Sequence, residues 1–206
     1  MLFGIFVYDG VEPIDLATFG VLSMARRIAP LIRICTIAPK AGMVRLSNGL
    51  DVVAQFGIED APVCDIVIVT GGPGWEDQAR SPETLGYIRR VHASGKVASV
   101  CTGAMILAAS GVLDGTAATT KRAVVAPEIS PLERMREMHP RIDVCEAPIV
   151  DAGAVVTGGG VSLCIDTTLH ILEKMLGEHV ASETARILEY QRARKANRDA
   201  DAFLAG

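Results

Sequence analysis

The stretch VASVCTGAMILAAS (97–110) decides the fold, because an apolar strand runs directly into Cys101 and then opens a helix of small residues. A cysteine at such a turn lies at the positive end of a helix, where unpaired backbone N–H groups and the helix dipole favour a thiolate. The arrangement resembles the nucleophile elbow of hydrolases. Position 101 alone is as compatible with a small buried core residue as with a nucleophile. The stretch predicts an α/β protein with Cys101 as its candidate nucleophile.

Strands and helices alternate on both sides of this stretch. Apolar runs predict strands, and periodic patterns between them predict helices, over 2–8, 14–28, 31–38, 65–70, 81–94 and 96–100. Ser81 and Pro82 form a helix start, because serine caps a helix and proline suits its first turn. The alternation predicts a mainly parallel sheet with helices on both faces, a flavodoxin-like three-layer sandwich. We expect one domain over residues 1–206, with a helical C-terminal extension from about residue 178.

Weaker elements complete the pattern. Asn48-Gly49 predicts a hairpin with a two-residue turn, since both residues accept positive φ angles. The sequence then predicts a short strand at 116–120 and an antiparallel pair of strands that turns at 151–153. A mostly apolar and therefore buried helix is expected over 161–177, and a more polar helix over 178–196.

Composition narrows the class of protein. Half of the 206 residues are apolar and only 4% are aromatic, which predicts an aliphatic core. A net charge of −4 argues against nucleic acid as a partner. The sequence has no basic, apolar leader and no apolar run of about 20 residues, so we expect neither export nor a membrane span. Five cysteines without a CxxC pair favour a reduced, cytoplasmic protein.

Cofactor and metal motifs are missing from the sequence. The loop Gly71-Gly72-Pro73-Gly74 matches neither the dinucleotide nor the phosphate-binding glycine pattern, and is compatible with a simple turn. The four histidines lack ligand spacing. We expect no cofactor and no metal. Ligands of open parallel sheets gather beyond the carboxyl ends of the strands, where residues 9–15, 71–75 and Cys101 are expected to meet.

Several motifs together resemble one superfamily. They are TGGPG (70–74), ASVCTGA (98–104), LAASGVLDG (107–115), AATT (117–120) and VVTGGGVSLCID (155–166). In this order they are similar to the ThiJ/PfpI superfamily, relatives of the class I glutamine amidotransferases, over nearly the whole chain. Asp15 in VEPIDLATF and Thr102 after the cysteine most resemble isonitrile hydratases and the sensor domains of AraC-type regulators. The sequence departs from close hydratases at Lys121-Arg122, where they commonly carry His-Trp.

The resemblance implies roles for individual residues. Cys101 would be the nucleophile and Asp15 its acidic partner, although an acid in a first helical turn is also favoured by the dipole alone. The backbone N–H groups of Gly72 and Thr102 would stabilise an anion. Four further residues are expected to line the pocket: Gly71, Trp75, Lys121 and Gly159. Trp75 is equally suited to covering the end of the sheet.

The implied reaction is the hydration of a small electrophile, an isonitrile that yields an N-substituted formamide. A carboxyl group packed beside the sulfur should have a raised pKa and donate a proton. The alternatives are a glyoxalase or deglycase that acts on small carbonyl compounds, and a non-catalytic module that senses a ligand or an oxidant. The resemblance also implies a homodimer with a small-molecule substrate.

Overall fold

In the described part of the chain, the core is built around an eight-stranded sheet. The computed structural model describes residues 1–200 and 204–205. Its strands are β1 (Leu2–Phe6), β2 (Arg33–Ala38), β3 (Gly42–Arg45), β4 (Asp51–Ala54), β5 (Phe56–Gly57), β6 (Ile66–Val69), β7 (Lys96–Ser99), β8 (Ala117–Ala118), β9 (Asp143–Val144), β10 (Ile149–Asp151), β11 (Val155–Gly158) and β12 (Leu204–Ala205). Its helices are α1 (Ala17–Ala25), α2 (Trp75–Arg80), α3 (Pro82–Ser94), α4 (Gly103–Ser110), α5 (Pro131–Met138), α6 (Leu163–Leu176), α7 (Glu178–Ile187) and α8 (Gln191–Ala200).

The strand order is β12-β10-β11-β7-β6-β1-β2-β5. All neighbours pair in parallel except β10 and β11, which form the predicted antiparallel pair. Helices α1, α6 and α7 pack together as one group, and α2, α3 and α4 form another. The predicted α/β sandwich with a mainly parallel sheet is confirmed. The strands that follow β1 are added on both of its sides, β2 on one and β6 on the other. At such a switch in strand order, a crevice forms beyond the carboxyl ends of the strands.

Two local predictions need correction. The β3–β4 hairpin forms, with positive φ at Asn48 (60°) and Gly49 (89°). Its loop is longer than the two residues predicted, because Leu46 N–H donates to Leu50 O (2.8 Å). The single helix expected over 178–196 is two helices, α7 and α8, with Glu189 at a φ of 55° between them.

The basic stretch of α8 is partly buried. Arg194 is 8% exposed, although a polar helix was expected here, and its guanidinium contacts the Glu173 carboxylate at 2.7 Å. This ion pair links α8 to α6. Among the described residues, no helix is both long and apolar enough to cross a bilayer.

Replacing Ser81 by alanine is expected to destabilise the fold by about 1 kcal/mol, the usual cost of losing a helix cap. As predicted, Ser81 caps α3, and its Oγ accepts a hydrogen bond from Thr84 N–H at 3.2 Å. Urea unfolding measures the loss. The matched change Ser23→Ala, at an exposed position inside α1, should not lower the unfolding midpoint, because alanine is the better helix former there. Equal midpoints for both variants would contradict the capping role.

Candidate active site

The nucleophile turn is a sharp bend between β7 and α4. Cys101 has a φ of 52°, a left-handed conformation that residues with a side chain rarely adopt. Its N–H donates to Gly159 O (3.1 Å), and its carbonyl accepts from Thr120 Oγ1 (2.9 Å). These hydrogen bonds hold the strained turn in place. Gly159, predicted to line the pocket, therefore supports the backbone of Cys101.

The glycine loop after β6 is joined to this turn through Thr102. Gly72 N–H donates to Thr102 Oγ1 at 2.8 Å, and the hydroxyl contacts Gly72 O at 3.3 Å. This differs from the predicted role of Gly72, because its N–H is already paired and is not directed at a substrate anion. Gly71 is needed for the close approach, since a Cβ there would lie 2.8 Å from Cys101 Cβ.

Asp15 lies behind the glycine loop, fully buried. It is part of a 3-10 helix, Pro13–Leu16, which follows β1. One carboxyl oxygen, Oδ2, accepts from Gly71 N–H at 2.7 Å, whereas Oδ1 has no hydrogen-bond partner in the described part of the chain. Burial raises the pKa of Asp15 to about 7, the Gly71 N–H lowers it, and the charge of Glu12 adds to the increase. The acid therefore exchanges its proton near neutral pH.

The sulfur does not rest as the expected thiolate. Burial, followed by the charge of Asp15, raises the pKa of Cys101 to about 12. The N–H and side chain of Thr102 and the charge of Lys121 lower this pKa but do not compensate. The thiol stays protonated because desolvation is the larger effect. Burial raises the pKa of such a group by up to roughly 3–5 units. A helix N-terminus contributes at most about 2 kcal/mol, which lowers the pKa by about 1.5 units. Near neutral pH the pair consists of a thiol and a partly ionised carboxyl group.

A cleft of about 760 Å³ opens over the sulfur. Its wall includes predicted site residues together with apolar and charged side chains: Glu12, Ile14, Gly72, Pro73, Trp75, Glu76, Cys101, Thr102, Lys121, Val124, Glu128, Ile129, Pro131, Arg134 and Val161. The Arg134 guanidinium lies 4.8 Å from the centre of the Trp75 ring and 2.7 Å from Glu76 Oε1. Trp75 lines the cleft, and with only 7% of it exposed the rest of the side chain is buried in the core.

The two charges that depart from the hydratase pattern have different surroundings. Lys121 lines the cleft, and its Nζ donates to Ala123 O. Arg122 is exposed and lies 3.9 Å from Glu146. No histidine of the described residues lines the cleft. The described residues also contain no cluster of three or more His, Cys, Asp or Glu side chains suited to a metal ion.

The structure adds three residues to the surroundings of the reacting groups. Gly160 touches the nucleophile, since a Cβ there would lie 2.9 Å from Cys101 Sγ. This agrees with the family resemblance, which implies that the glycines at 158–160 back the wall of the site. Glu12 lines the cleft and raises the pKa of Asp15, a role that the sequence did not indicate. Cys164 is a buried core residue whose Sγ donates to Ile14 O (3.5 Å), and burial, followed by the charges of Asp15 and Cys101, raises its pKa to about 12.

Replacing Gly160 by alanine is expected to reduce turnover by roughly 10²-fold, the usual effect of moving a reacting atom by about 1 Å. The new methyl group would meet Cys101 Sγ and Lys121 Cβ, both at 2.9 Å. Steady-state kinetics measure the effect. The control Gly20→Ala, where a Cβ meets nothing within 4 Å, should keep full activity. An unchanged rate in the Gly160 variant would show that the sulfur position is not critical.

The chain is similar in sequence and structure to several known proteins. The chain is 29% identical to the isonitrile hydratase of Pseudomonas putida, over 91% of this chain and 77% of that protein. It is 26% identical to the transcriptional regulator GbdR of Pseudomonas aeruginosa, over 93% of this chain but only 51% of the regulator. A crystal structure of a ThiJ/PfpI protein from Pseudomonas syringae has the same fold, with a TM-score of 0.78 at 24% identity, covering 92% of this chain and 74% of that one. The model of the DJ-1/PfpI family matches residues 4–174, and the chain belongs to that family.

Proposed function

We propose that this protein is a cysteine-dependent hydratase that adds water to an isonitrile and releases an N-substituted formamide. The observation that carries the proposal is that the Cys101 thiol lies on the wall of the cleft and that the charge of the buried Asp15 carboxyl group reaches it and raises its pKa. One oxygen of Asp15 has no partner among the described residues. Support also comes from the Pseudomonas putida isonitrile hydratase, which matches 91% of the chain.

The first step transfers the thiol proton from Cys101 to ionised Asp15. The sulfur forms a bond to the terminal carbon of the isonitrile, and Asp15 returns the proton to that same carbon. The product is a thioimidate bound to Cys101. The covalent bond divides one difficult addition into two easier steps. The N–H of Thr102 stabilises charge as it develops near the sulfur, consistent with its effect on the pKa of Cys101.

The second step adds water to the thioimidate carbon. Asp15 accepts one proton from the water as the oxygen bonds to the carbon, and passes this proton to the nitrogen. The carbon–sulfur bond then breaks, and the hydroxyl proton moves to the sulfur as the formamide carbonyl forms. The thiol of Cys101 is restored, so the atoms of one isonitrile and one water account for the product. This chain therefore supplies the nucleophile, the group that carries the proton, and a backbone N–H that donates a hydrogen bond to the developing negative charge.

A turnover panel tests the proposal. Isonitriles with alkyl and aryl substituents, methylglyoxal and small primary amides are each incubated with the protein, and products are measured by NMR. We expect formamide from the isonitriles and no lactate from methylglyoxal, because no described histidine faces the cleft to move a second proton. Lactate without formamide would instead indicate the glyoxalase or deglycase alternative.

A ligand-sensing role is the second candidate function. It is favoured by the match to GbdR, of which the chain spans about half, and by a resting thiol whose pKa is raised. Such a module would bind a small molecule in the cleft without turning it over. Tight binding of an intact ligand by calorimetry, together with no product from any of the three substrate classes, would favour it.

We also propose that residues 1–206 form a single domain, that the protein is a homodimer in the cytoplasm, and that it acts without a cofactor or nucleic acid. Size-exclusion chromatography with light scattering tests the homodimer directly.

A further inference from the structure

Two thiols outside the cleft lie in contact. The Sγ atoms of Cys35 and Cys64 are 3.8 Å apart, although 29 residues separate them in the sequence. Cys35 is in β2, and Cys64 lies just before the start of β6. Cys101 follows the opposite, carboxyl end of β7, so this thiol pair is separate from the nucleophile. Sequence patterns do not reveal the pair, since the two cysteines share no local motif.

Gly4 makes the contact between the sulfurs possible. It is paired with Cys35 in the parallel register of β1 and β2, so the two positions share a face of the sheet. A Cβ at Gly4 would lie 2.9 Å from Cys64 Sγ. The missing side chain therefore provides the space in which the Cys64 sulfur extends across β1 towards Cys35.

Cys64 ends a loop segment that is partly exposed. Cys64 Sγ donates to Pro62 O at 3.4 Å, and the neighbouring Val63 is 85% exposed. Cys35 and Cys64 themselves are 4% and 8% exposed. A disulfide requires the sulfurs to approach to about 2.05 Å. Forming the bond therefore requires the segment that carries Cys64 to move towards β2.

We propose that Cys35 and Cys64 are a modification site that forms a reversible disulfide when the protein meets a hydroperoxide. The Cys35 sulfur attacks the terminal peroxide oxygen, an S–O bond forms, the O–O bond breaks, and the alcohol or water leaves with a proton. Cys64 then attacks the Cys35 sulfur, the S–S bond forms, and the S–O bond breaks with release of water. Two thiols lose two electrons, and one peroxide is reduced.

The electrostatics agree with this order of attack. The contact with Cys64 and the charge of Arg33 lower the pKa of Cys35, whereas burial acts in the opposite direction. The contact with Cys35, together with burial, raises the pKa of Cys64. A thiol whose pKa is lowered and that lies beside a second cysteine is suited to reversible oxidation.

The test uses the full chain carrying Cys101→Ser, which removes oxidation of the nucleophile. After treatment with hydrogen peroxide, remaining thiols are alkylated under denaturing conditions and peptides are mapped by mass spectrometry. We expect a loss of about two mass units and a linked pair of peptides containing Cys35 and Cys64. The thermal midpoint should rise by roughly 5–10 °C, because the bond closes a loop of 29 residues. Dithiothreitol should reverse both changes.

Matched variants separate the pair from the other thiols. Adding Cys64→Ser should abolish the linked peptide and the thermal shift, whereas adding Cys145→Ser, at a partly exposed thiol, should leave both intact. Gly4→Ala should slow disulfide formation severalfold. Alkylation of both Cys35 and Cys64 after peroxide treatment, or oxidation of only one of them to a sulfinic acid, would overturn the proposal. Because mapping is done on the chain with both cysteines present, the result does not depend on how the variants fold.

Discussion

Cys101→Ala is expected to abolish formamide production, with a loss of roughly 10⁴-fold or more in kcat, the scale seen when a covalent nucleophile is removed. The physical reason is that the covalent bond between Cys101 and substrate has no substitute in the cleft. The neighbouring sulfur, Cys164, is fully buried and does not line the cleft. Initial rates measured by NMR, at equal concentrations of folded protein, give the effect.

Cys145→Ala is the matched control for this prediction. Cys145 is a partly exposed thiol that follows β9, away from the cleft wall, so its removal should leave kcat unchanged. Mass spectrometry during turnover should detect a covalent adduct on Cys101 in the wild type. Formamide production by the Cys101→Ala variant at the wild-type rate would contradict the mechanism and leave the cleft as a binding site.

Asp15→Asn is expected to lower kcat/KM by roughly 10²–10⁴-fold, the usual contribution of a positioned acid–base group. Activity of the wild type should rise as the pH passes through about 7, because the reactive state holds Asp15 ionised beside the neutral thiol. The amide keeps the hydrogen bond from Gly71 N–H but cannot carry a proton, so this pH limb should disappear in the variant. A pH profile of kcat/KM from pH 5 to 9 checks both expectations.

The same substitution should stabilise the fold above neutral pH. Folding raises the pKa of Asp15 from 3.8 to about 7, so ionising the buried carboxyl group costs stability as the pH rises through that interval. A pKa increase of this size corresponds to at most about 4 kcal/mol in the free energy of unfolding. Asp15→Asn should therefore be more stable than wild type at pH 8.5 and similar to it at pH 4 by urea unfolding. The reverse order of stability would show that the carboxylate is better solvated than its burial indicates.

Glu12→Gln is expected to shift the pH at which the activity of the enzyme rises. The charge of Glu12 raises the pKa of Asp15, so its removal should move the rise in activity to lower pH while kcat at high pH is kept. A profile that does not move would separate Glu12 from the electrostatics of the acid. A large loss of kcat would instead give Glu12 a direct role in the reaction.

The elements predicted best were those whose signals are local. The apolar runs of β6 and β7, the cap at Ser81 and the turn at 151–153 each depend on a few adjacent residues, and each forms in the structure. The break at Glu189 was missed because tertiary contacts support it. Tyr190, just beyond the break, donates its hydroxyl to buried Asp166 at 2.7 Å.

The chemistry of the site was less predictable for the same reason. The position of Cys101 before a helix was visible in the sequence, but the extent of its burial depends on segments far away in the chain, Gly160 among them. The pairing of Gly72 N–H with Thr102 Oγ1 likewise needs two loops brought together by the sheet. Sequence patterns locate such groups at the same end of the strands but do not reveal which donors are already engaged.

The outer wall of the cleft has a consequence for how this scaffold diversifies. Its residues Val124, Glu128 and Ile129 belong to a surface segment, with Ile129 66% exposed, whereas the reacting groups are fixed by the sheet and its turns. Exchanges at exposed positions usually change stability by less than about 0.5 kcal/mol. Selection can therefore reshape which molecules enter without rebuilding the reactive centre, and new substrate ranges should arise in descendants of this chain from mutations between residues 122 and 130.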